Sequence, residues 1–299
     1  MCESSYCGKF HTDKTDSGFL WIFTFEKKKL IWDSSYINPH IEIGVRLIEF
    51  LTDLIQRAGT ICKTEQNRLL PSDVGFKNRK DLVTTIDKRV EDFIIENIRI
   101  KYPGHDILGE ETGRSGFSSD YLWIIDPIDG TTSFLHQQPF YSVSIAVRHE
   151  DRTICAAVFA PRLDELFYAD QDGGAFLNGG PIHVSTTDTL INSVMATGFA
   201  CLRADAEHNN LPYFTKIVPQ LRDIRRFGSA AIDLCYVACG KLDGFWEMNL
   251  NPYDIVAGAF IVEKAGGKVC DFNGDHYFPE KGIVSANPNL IEQLLENFK

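Results

Sequence analysis

Several features that would each decide a function are missing from this chain. Its eight cysteines include no Cys-x-x-Cys pair and no zinc-ligand spacing, and none of its eight histidines stands at a ligand spacing, which excludes a module built around zinc. Long apolar runs are missing too. The longest near the start, Phe19 to Phe25, is far shorter than the ~20 residues a membrane helix needs. The basic block Lys27-Lys28-Lys29 follows that run rather than preceding it, so neither a membrane anchor nor a signal peptide is expected there. Basic charge is scarce: 30 Lys and Arg stand against 41 Asp and Glu, for a net charge of -11. A surface made to track nucleic-acid phosphates needs the opposite balance, so no direct nucleic-acid binding is expected. No internal repeat and no low-complexity tract breaks the chain.

What is present is ordinary globular composition. With 299 residues, 44% of them hydrophobic, the chain can bury one large core or two subdomains sharing it. Cys235 and Cys239, four apart in an apolar helical stretch, are expected as buried thiols on one helix face. Unpaired thiols fit a reduced, cytoplasmic compartment.

Residues 1–37 show no period and are expected to form an extension. Asn38-Pro39 suits a helix start, and Ile41, Val45, Ile48, Leu51 and Ile55 then recur at helical spacing. A second helix is predicted from Thr85 to Ile100, with Val90, Phe93, Ile94 and Ile98 on one face. Tyr121–Ile125, Tyr141–Arg148, Thr153–Ala160 and Glu165–Tyr168 have the composition of strands in an antiparallel meander. From about residue 190 the two element types alternate. Strands are predicted at Val194–Thr197, Ile224–Phe227, Leu242–Glu247 and Lys268–Asp271, and helices at Tyr213–Gln220, Ala230–Ala238, Pro252–Lys264 and Pro288–Asn297. An α+β half over 38–189 followed by an α/β half over 190–299 predicts a mixed fold of stacked helix and sheet layers.

The segment Asp126-Pro127-Ile128-Asp129-Gly130-Thr131-Thr132 carries the most chemistry. A buried strand should deliver Asp126 at its end, with Pro127 turning the chain sharply. Asp129 and Gly130 would then open a short helix whose free amides favour an anion. Two carboxylates for cations thus stand beside a backbone cradle for phosphate. Taken alone, however, an Asp-x-x-Asp pair is more commonly a helix cap. The same reading is open for Asp87 and for Asp254, which follows Asn251-Pro252 at a helix start. Glu110-Glu111 could be a solvated loop pair, and Glu247 could pair with a surface lysine.

Trp123-Ile-Ile-Asp-Pro-Ile-Asp-Gly-Thr-Thr-Ser-Phe134 resembles the first signature of the inositol monophosphatase family, and three further segments follow that family's order. Asp81-Leu-Val-Thr-Thr-Ile-Asp87 resembles the motif that opens its second helix, and Gly109-Glu110-Glu111 its metal-binding glutamate. Phe245-Trp-Glu247, Pro252-Tyr-Asp-Ile-Val-Ala-Gly258 and Glu263-Lys-Ala-Gly-Gly267 resemble its second signature. The match spans roughly residues 38–299. It implies a layered αβαβα sandwich of the sugar-phosphatase type and a phosphatase using two or three magnesium ions. Glu110, Asp126 and the carbonyl of Ile128 would hold one ion. Asp126, Asp129 and Asp254 would hold a second, with a weaker third near Glu110. Asp87 and Thr131 would orient the attacking water, and Glu110 is implied as a third catalytic residue. Gly130, Thr131, Thr132, Ala230, Glu247 and Asp254 would touch the substrate, a small phosphate monoester such as myo-inositol 1-phosphate. Lys77 matches a lysine common in bacterial members. A homodimer and inhibition by lithium are also implied.

That donor set makes chemical sense. Magnesium takes oxygen ligands and keeps several waters, so a few carboxylates suffice. Phosphoryl transfer needs positioning and charge stabilisation more than a covalent nucleophile. Ser133 and Tyr253 stand where the family usually has asparagine and tryptophan, which leaves fine substrate preference open. Relatives acting on fructose 1,6-bisphosphate, histidinol phosphate or 3′-phosphoadenosine nucleotides would share the metal set. A regulatory or scaffold protein on the same fold is the alternative of another class.

Overall fold

Two amphipathic helices open the described part of the chain. The computed structural model describes residues 39–70, 74–78, 81–116, 118–275 and 282–299; the extension expected over 1–37 and the side chain of Lys77 lie outside the described residues. Helix α1 (Pro39–Gln66) turns Leu51, Leu54, Ile55 and Ala58 inward, all fully buried. Helix α2 (Thr85–Lys101) is started by Thr84, whose hydroxyl accepts the amides of Ile86 and Asp87 at 3.1 and 3.3 Å. The Asp87 carboxyl accepts the Thr84 amide in return at 2.8 Å, closing a capping box. Strands β1 (Val74–Asn78) and β2 (Asp81–Thr84) pair antiparallel between the helices. The segment 81–87 therefore spends its first four residues in a strand and enters the helix only at Thr85.

Both helices pack on one face of an eight-stranded sheet. Its strands are β3 (Asp106–Gly109), β4 (Gly113–Ser115), β5 (Tyr121–Asp129), β6 (Ser142–His149), β7 (Arg152–Ala160), β8 (Glu165–Asp170), β9 (Gly174–Leu177) and β10 (Gly180–Pro181). They lie in the order β10-β9-β8-β7-β6-β5-β3-β4, antiparallel except for the parallel pair β3 and β5. The expected meander is β5 to β8. Side chains alternate faces along each strand. Ile125, Ile145, Val147 and Ala157 meet α1 and α2, whereas Ile124, Ala146, Ala156 and Val158 join the core on the other side.

That other core is filled by α6 (Ala230–Ala238) and α7 (Pro252–Lys264), which lie between the two sheets. Every residue of α6 is buried, so it shows almost no amphipathic contrast. The two helices approach closely: a Cβ on Gly258 would stand 2.7 Å from Leu234 Cβ. The second sheet runs β12 (Asp223–Arg225), β11 (Val194–Thr197), β13 (Gly244–Glu247), β15 (Ile283–Ala286), β14 (Lys268–Cys270). Its far face is covered by α5 (Leu211–Ile217) and α8 (Ile291–Leu295), through Ile217, Leu294, Met195 and Trp246. The result is the alternating helix and sheet layering expected of the sugar-phosphatase type.

Several boundaries differ from expectation. β5 continues through Pro127 to Asp129 instead of ending at Ile125, for a reason that shapes the site. β12 stops at Arg225, and the closing helix covers only Ile291–Leu295. Strands β3, β9 and β15 carry only four residues each, too few to show a period. Cys235 is buried as expected, whereas Cys239 caps α6 and is only partly buried. Among the described residues no helix is long and apolar enough to cross a membrane.

Candidate metal centre

Asp126 and Asp129 are three residues apart, and in a regular strand that spacing turns them to opposite faces. A bulge prevents this. Asp126 pairs with Ser144 and Asp129 with Ser142, so three steps along β5 match two along β6. Pro127, which has no amide to give a ladder, occupies the irregular stretch. Oxygens of Asp126 and Asp129, together with one of Asp254 at the start of α7, lie within 4.8 Å of one another.

Each carboxyl is held by hydrogen bonds from the protein. Asp126 accepts the Ile128 amide at 3.0 Å. Asp129 accepts the Ser229 hydroxyl at 2.6 Å and the Ala231 amide at 2.8 Å, both from the N-terminal end of α6. Asp254 accepts the Asn251 amide at 2.6 Å, as a capping residue would. Capping and clustering are therefore compatible: one oxygen can cap while the other faces the cleft. Gly130 sits in the left-handed region at φ 94°, and a Cβ there would stand 2.9 Å from the Phe140 carbonyl, so only glycine fits. It leads into α3 (Thr131–Leu135), where the Thr131 hydroxyl donates to the Ile128 carbonyl at 3.2 Å.

Glu110 arrives from the turn after β3, its amide bonded to the Ile125 carbonyl at 3.2 Å. A residue with no part in the sequence expectations holds this turn. The fully buried carboxyl of Glu91, on α2, accepts the amides of Glu111 and Thr112 at 3.0 and 2.8 Å. A Cβ on Gly109 would stand 2.5 Å from that carboxyl, so Gly109 lets the turn close on it. One signal was available: Glu91 falls on the helical arc of Val90, Ile94 and Ile98, where a carboxyl needs an internal partner.

The electrostatics of the cluster are those of crowded acids. Burial, followed by the charges of Glu110, Asp129 and Asp254, pushes the Asp126 carboxyl well above the usual range. Asp129 is pushed up to about 6 by burial, opposed chiefly by the Ser229 hydroxyl and the Ala231 amide. Burial and then the Asp129 charge raise Asp254. Kept as anions, such groups repel; a hard cation that takes oxygen ligands removes the repulsion and replaces the lost water. The donor set therefore fits magnesium.

A cavity of about 580 Å³ opens over this cluster. Glu110, Asp126, Asp129 and Asp254 line it, as do Ile128, Gly130, Thr131 and Thr132. The lining also includes Phe199, Leu202 and Arg203, which ends α4 (Ala200–Arg203), with Arg226 and Gly228. An adjoining recess shares Asp129, Arg203, Arg226, Gly228 and Asp254, and is lined further by Ala230, Asp233 and Glu247. Glu247 is no surface residue. It is 5% exposed, accepts the Ala200 amide at 2.9 Å and is pushed up to about 7 by burial. Asp87 does not line the cavity; its buried carboxyl, bonded to Thr84, is pushed up to about 7 by burial, with Glu110 and Glu111 adding to the rise. Neither Arg203 nor Asp233 stands in a sequence motif that points to the cleft.

Fold and site together define a layered α/β protein with a carboxylate nest suited to hard cations. The chain belongs to the inositol monophosphatase family, whose model matches residues 45–299. A relative named Nus factor SuhB from Pseudomonas aeruginosa is 41% identical over 265 residues, 87% of this chain and 95% of that protein. Its namesake from Escherichia coli K12 is 38% identical, over 88% of this chain and 97% of that protein. Among solved structures, the inositol monophosphatase from Anabaena is similar with a TM-score of 0.75 at 35% identity, covering 84% of this chain and 94% of that one. The extragenic suppressor protein SuhB from Bartonella henselae gives 0.79 at 33% identity, covering 85% and 98%.

Proposed function

We propose that this protein is a magnesium-dependent phosphomonoesterase that hydrolyses myo-inositol 1-phosphate and related polyol or sugar monophosphates to the alcohol and inorganic phosphate. The observation that carries this reading is the meeting of Asp126, Asp129 and Asp254 within 4.8 Å at a cavity wall. Glu110, Asp126 and the Ile128 carbonyl would hold one ion, and Asp126, Asp129 and Asp254 another, with a weaker third near Glu110. Magnesium, when bound, neutralises phosphate charge and lowers the pKa of a water molecule. Thr131, its proton directed to the Ile128 carbonyl, offers lone pairs to the attacking water. Asp87, whose buried carboxyl lies outside the cavity lining, would help Thr131 orient that water. The amides of Gly130 and Thr131 receive phosphate oxygens, Thr132 and Ala230 flank the substrate, and Glu247 accepts hydroxyl hydrogens from the polyol.

Asp129→Asn keeps an oxygen for Ser229 and Ala231 but removes a charge from the cation site. Phosphate release should fall by about 100-fold or more, the scale of losing one preorganised electrostatic group. Undiminished release would sink the reading. Turnover of inositol 1-phosphate, fructose 1,6-bisphosphate, histidinol phosphate and a 3′-phosphoadenosine nucleotide by the wild type ranks the substrates.

The relatives' name, Nus factor, supports a second, coexisting reading: a protein-binding role beside the transcription machinery. A phosphatase-dead Asp129→Asn chain separates the two, because a binding role survives loss of a cation ligand. A cytoplasmic homodimer inhibited by lithium completes the proposal.

A further inference from the structure

One buried amide grips the site segment from behind without lining the cavity. Gln66, the last residue of α1, is 1% exposed. Its Nε2 donates to the Phe134 carbonyl at 2.9 Å, and its Oε1 accepts the Tyr141 hydroxyl at 3.3 Å. The amide can face only this way round, because a carbonyl accepts and cannot donate. Around it the Phe134 and Tyr141 rings meet edge to face at 5.0 Å, both fully buried. An apolar side chain would fill such a place at no cost in lost hydration, whereas an amide needs both its bonds to offset burial.

Both groups that Gln66 holds stand one step from the cation cluster. On one side, Phe134 closes the single turn of α3, its amide donating to the Gly130 carbonyl at 3.0 Å. So short a helix has too few internal bonds to fix itself, and its last carbonyls need outside donors. Gln66 supplies one at Phe134, beside the Gln137 amide at 3.1 Å. On the other side, the Tyr141 backbone backs on to Gly130, where a Cβ would stand 3.3 Å from the Tyr141 Cα. The next residue, Ser142, pairs with Asp129 in the sheet. Cys62, one turn earlier on α1 and fully buried, adds a weak third hold: its thiol donates to the Pro127 carbonyl, inside the bulge, at 3.8 Å.

We propose that Gln66 is a positioning residue, which by bridging Phe134 and Tyr141 fixes where Asp129, Gly130 and Thr131 stand relative to Asp126 and Asp254. It touches neither cation nor substrate. The inference rests on the phosphatase reading above, since the segment it braces is the one assigned there to magnesium and phosphate. Outer partners that orient metal ligands set metal affinity or activity by about 10–100-fold. Gln66 acts through the backbone rather than on a ligand's own carboxyl, which puts it at the low end of that range.

Gln66→Met keeps the length of the side chain and makes neither bond. Calorimetry with magnesium alone should show about tenfold weaker binding, and kcat for inositol 1-phosphate at saturating magnesium should fall by about the same factor. The change also leaves the buried Tyr141 hydroxyl without its acceptor, so the urea midpoint drops. Adding Tyr141→Phe to Gln66→Met removes that hydroxyl and should restore most of the midpoint, while magnesium binding stays weak. Tyr141→Phe alone keeps the hold on Phe134 and should bind magnesium with an affinity between those of the wild type and the double variant. Wild-type magnesium affinity in Gln66→Met, or an affinity that returns with the midpoint in the double variant, overturns the inference and leaves Gln66 a packing residue. If the wild type binds magnesium but hydrolyses no phosphate monoester, the phosphatase reading fails, and the magnesium calorimetry still decides whether Gln66 positions the cluster. A wild type that binds no magnesium overturns both.

Discussion

Glu91→Gln should loosen the turn that carries Glu110. In the native protein the two Glu91 oxygens accept separate amides, from Glu111 at 3.0 Å and Thr112 at 2.8 Å. Glutamine keeps one accepting oxygen and sets an NH2 group against the other amide, so one bond is lost and two donors face each other. A hydrogen bond to a carboxylate contributes roughly 1.5–3 kcal/mol, and an unsatisfied buried donor costs about 1–3 kcal/mol. Glu111 and Thr112 are not buried, so water relieves part of the second cost and a total near 2–3 kcal/mol is expected. For a chain of this size that corresponds to roughly 3–5 °C in Tm. The Mg2+ concentration at half-maximal phosphate release should rise as well, because Glu110 is no longer held at the cluster. Urea unfolding without metal and a magnesium titration of activity measure the two effects. An unchanged urea midpoint together with an unchanged half-saturating magnesium would refute the clamp.

The remaining predictions concern the recess and the packing between the sheets. Glu247 has a folded pKa of about 7 against an ordinary 4.5, so it stabilises the fold fully below pH 4.5 and that stability is lost as pH rises to about 7. The loss is about 3 kcal/mol for this nearly buried group. Glu247→Gln should accordingly flatten the metal-free stability profile over that window, and parallel profiles for the two proteins in urea would contradict it. Gly258→Ala places a methyl 2.7 Å from Leu234 Cβ, and overpacking of this kind costs about 1–3 kcal/mol. A lower urea midpoint at an unchanged slope is expected; no shift would mean that α6 and α7 separate freely.

What could be read from the chain alone was local. Helix α7 is legible to the residue because Asn251-Pro252 starts it and Lys264 ends its apolar stretch, all within one window. The meander shows itself because its strands are long enough for composition to speak. The Asp126–Asp129 pair, Gly130 and the paired threonines likewise stand within seven consecutive residues, where capping and cation binding were both open readings.

Tertiary structure decided what depends on partners distant in sequence. A spacing of three on a strand predicts divergent carboxylates, and only pairing with Ser144 and Ser142 makes the bulge that lets them converge. Glu91, twenty residues from the turn it holds, looks like one more acid on a helix until β3 brings that turn against it. Ser229 and Ala231 reach Asp129 across about a hundred residues, and Arg203 and Arg226 share one cleft only because α4 and the loop after β12 fold to it. Periodicity and capping act through bonds a few residues long, which the sequence states outright. The carboxylate cluster and the cavity over it exist only once folding has closed loops that no local preference encodes.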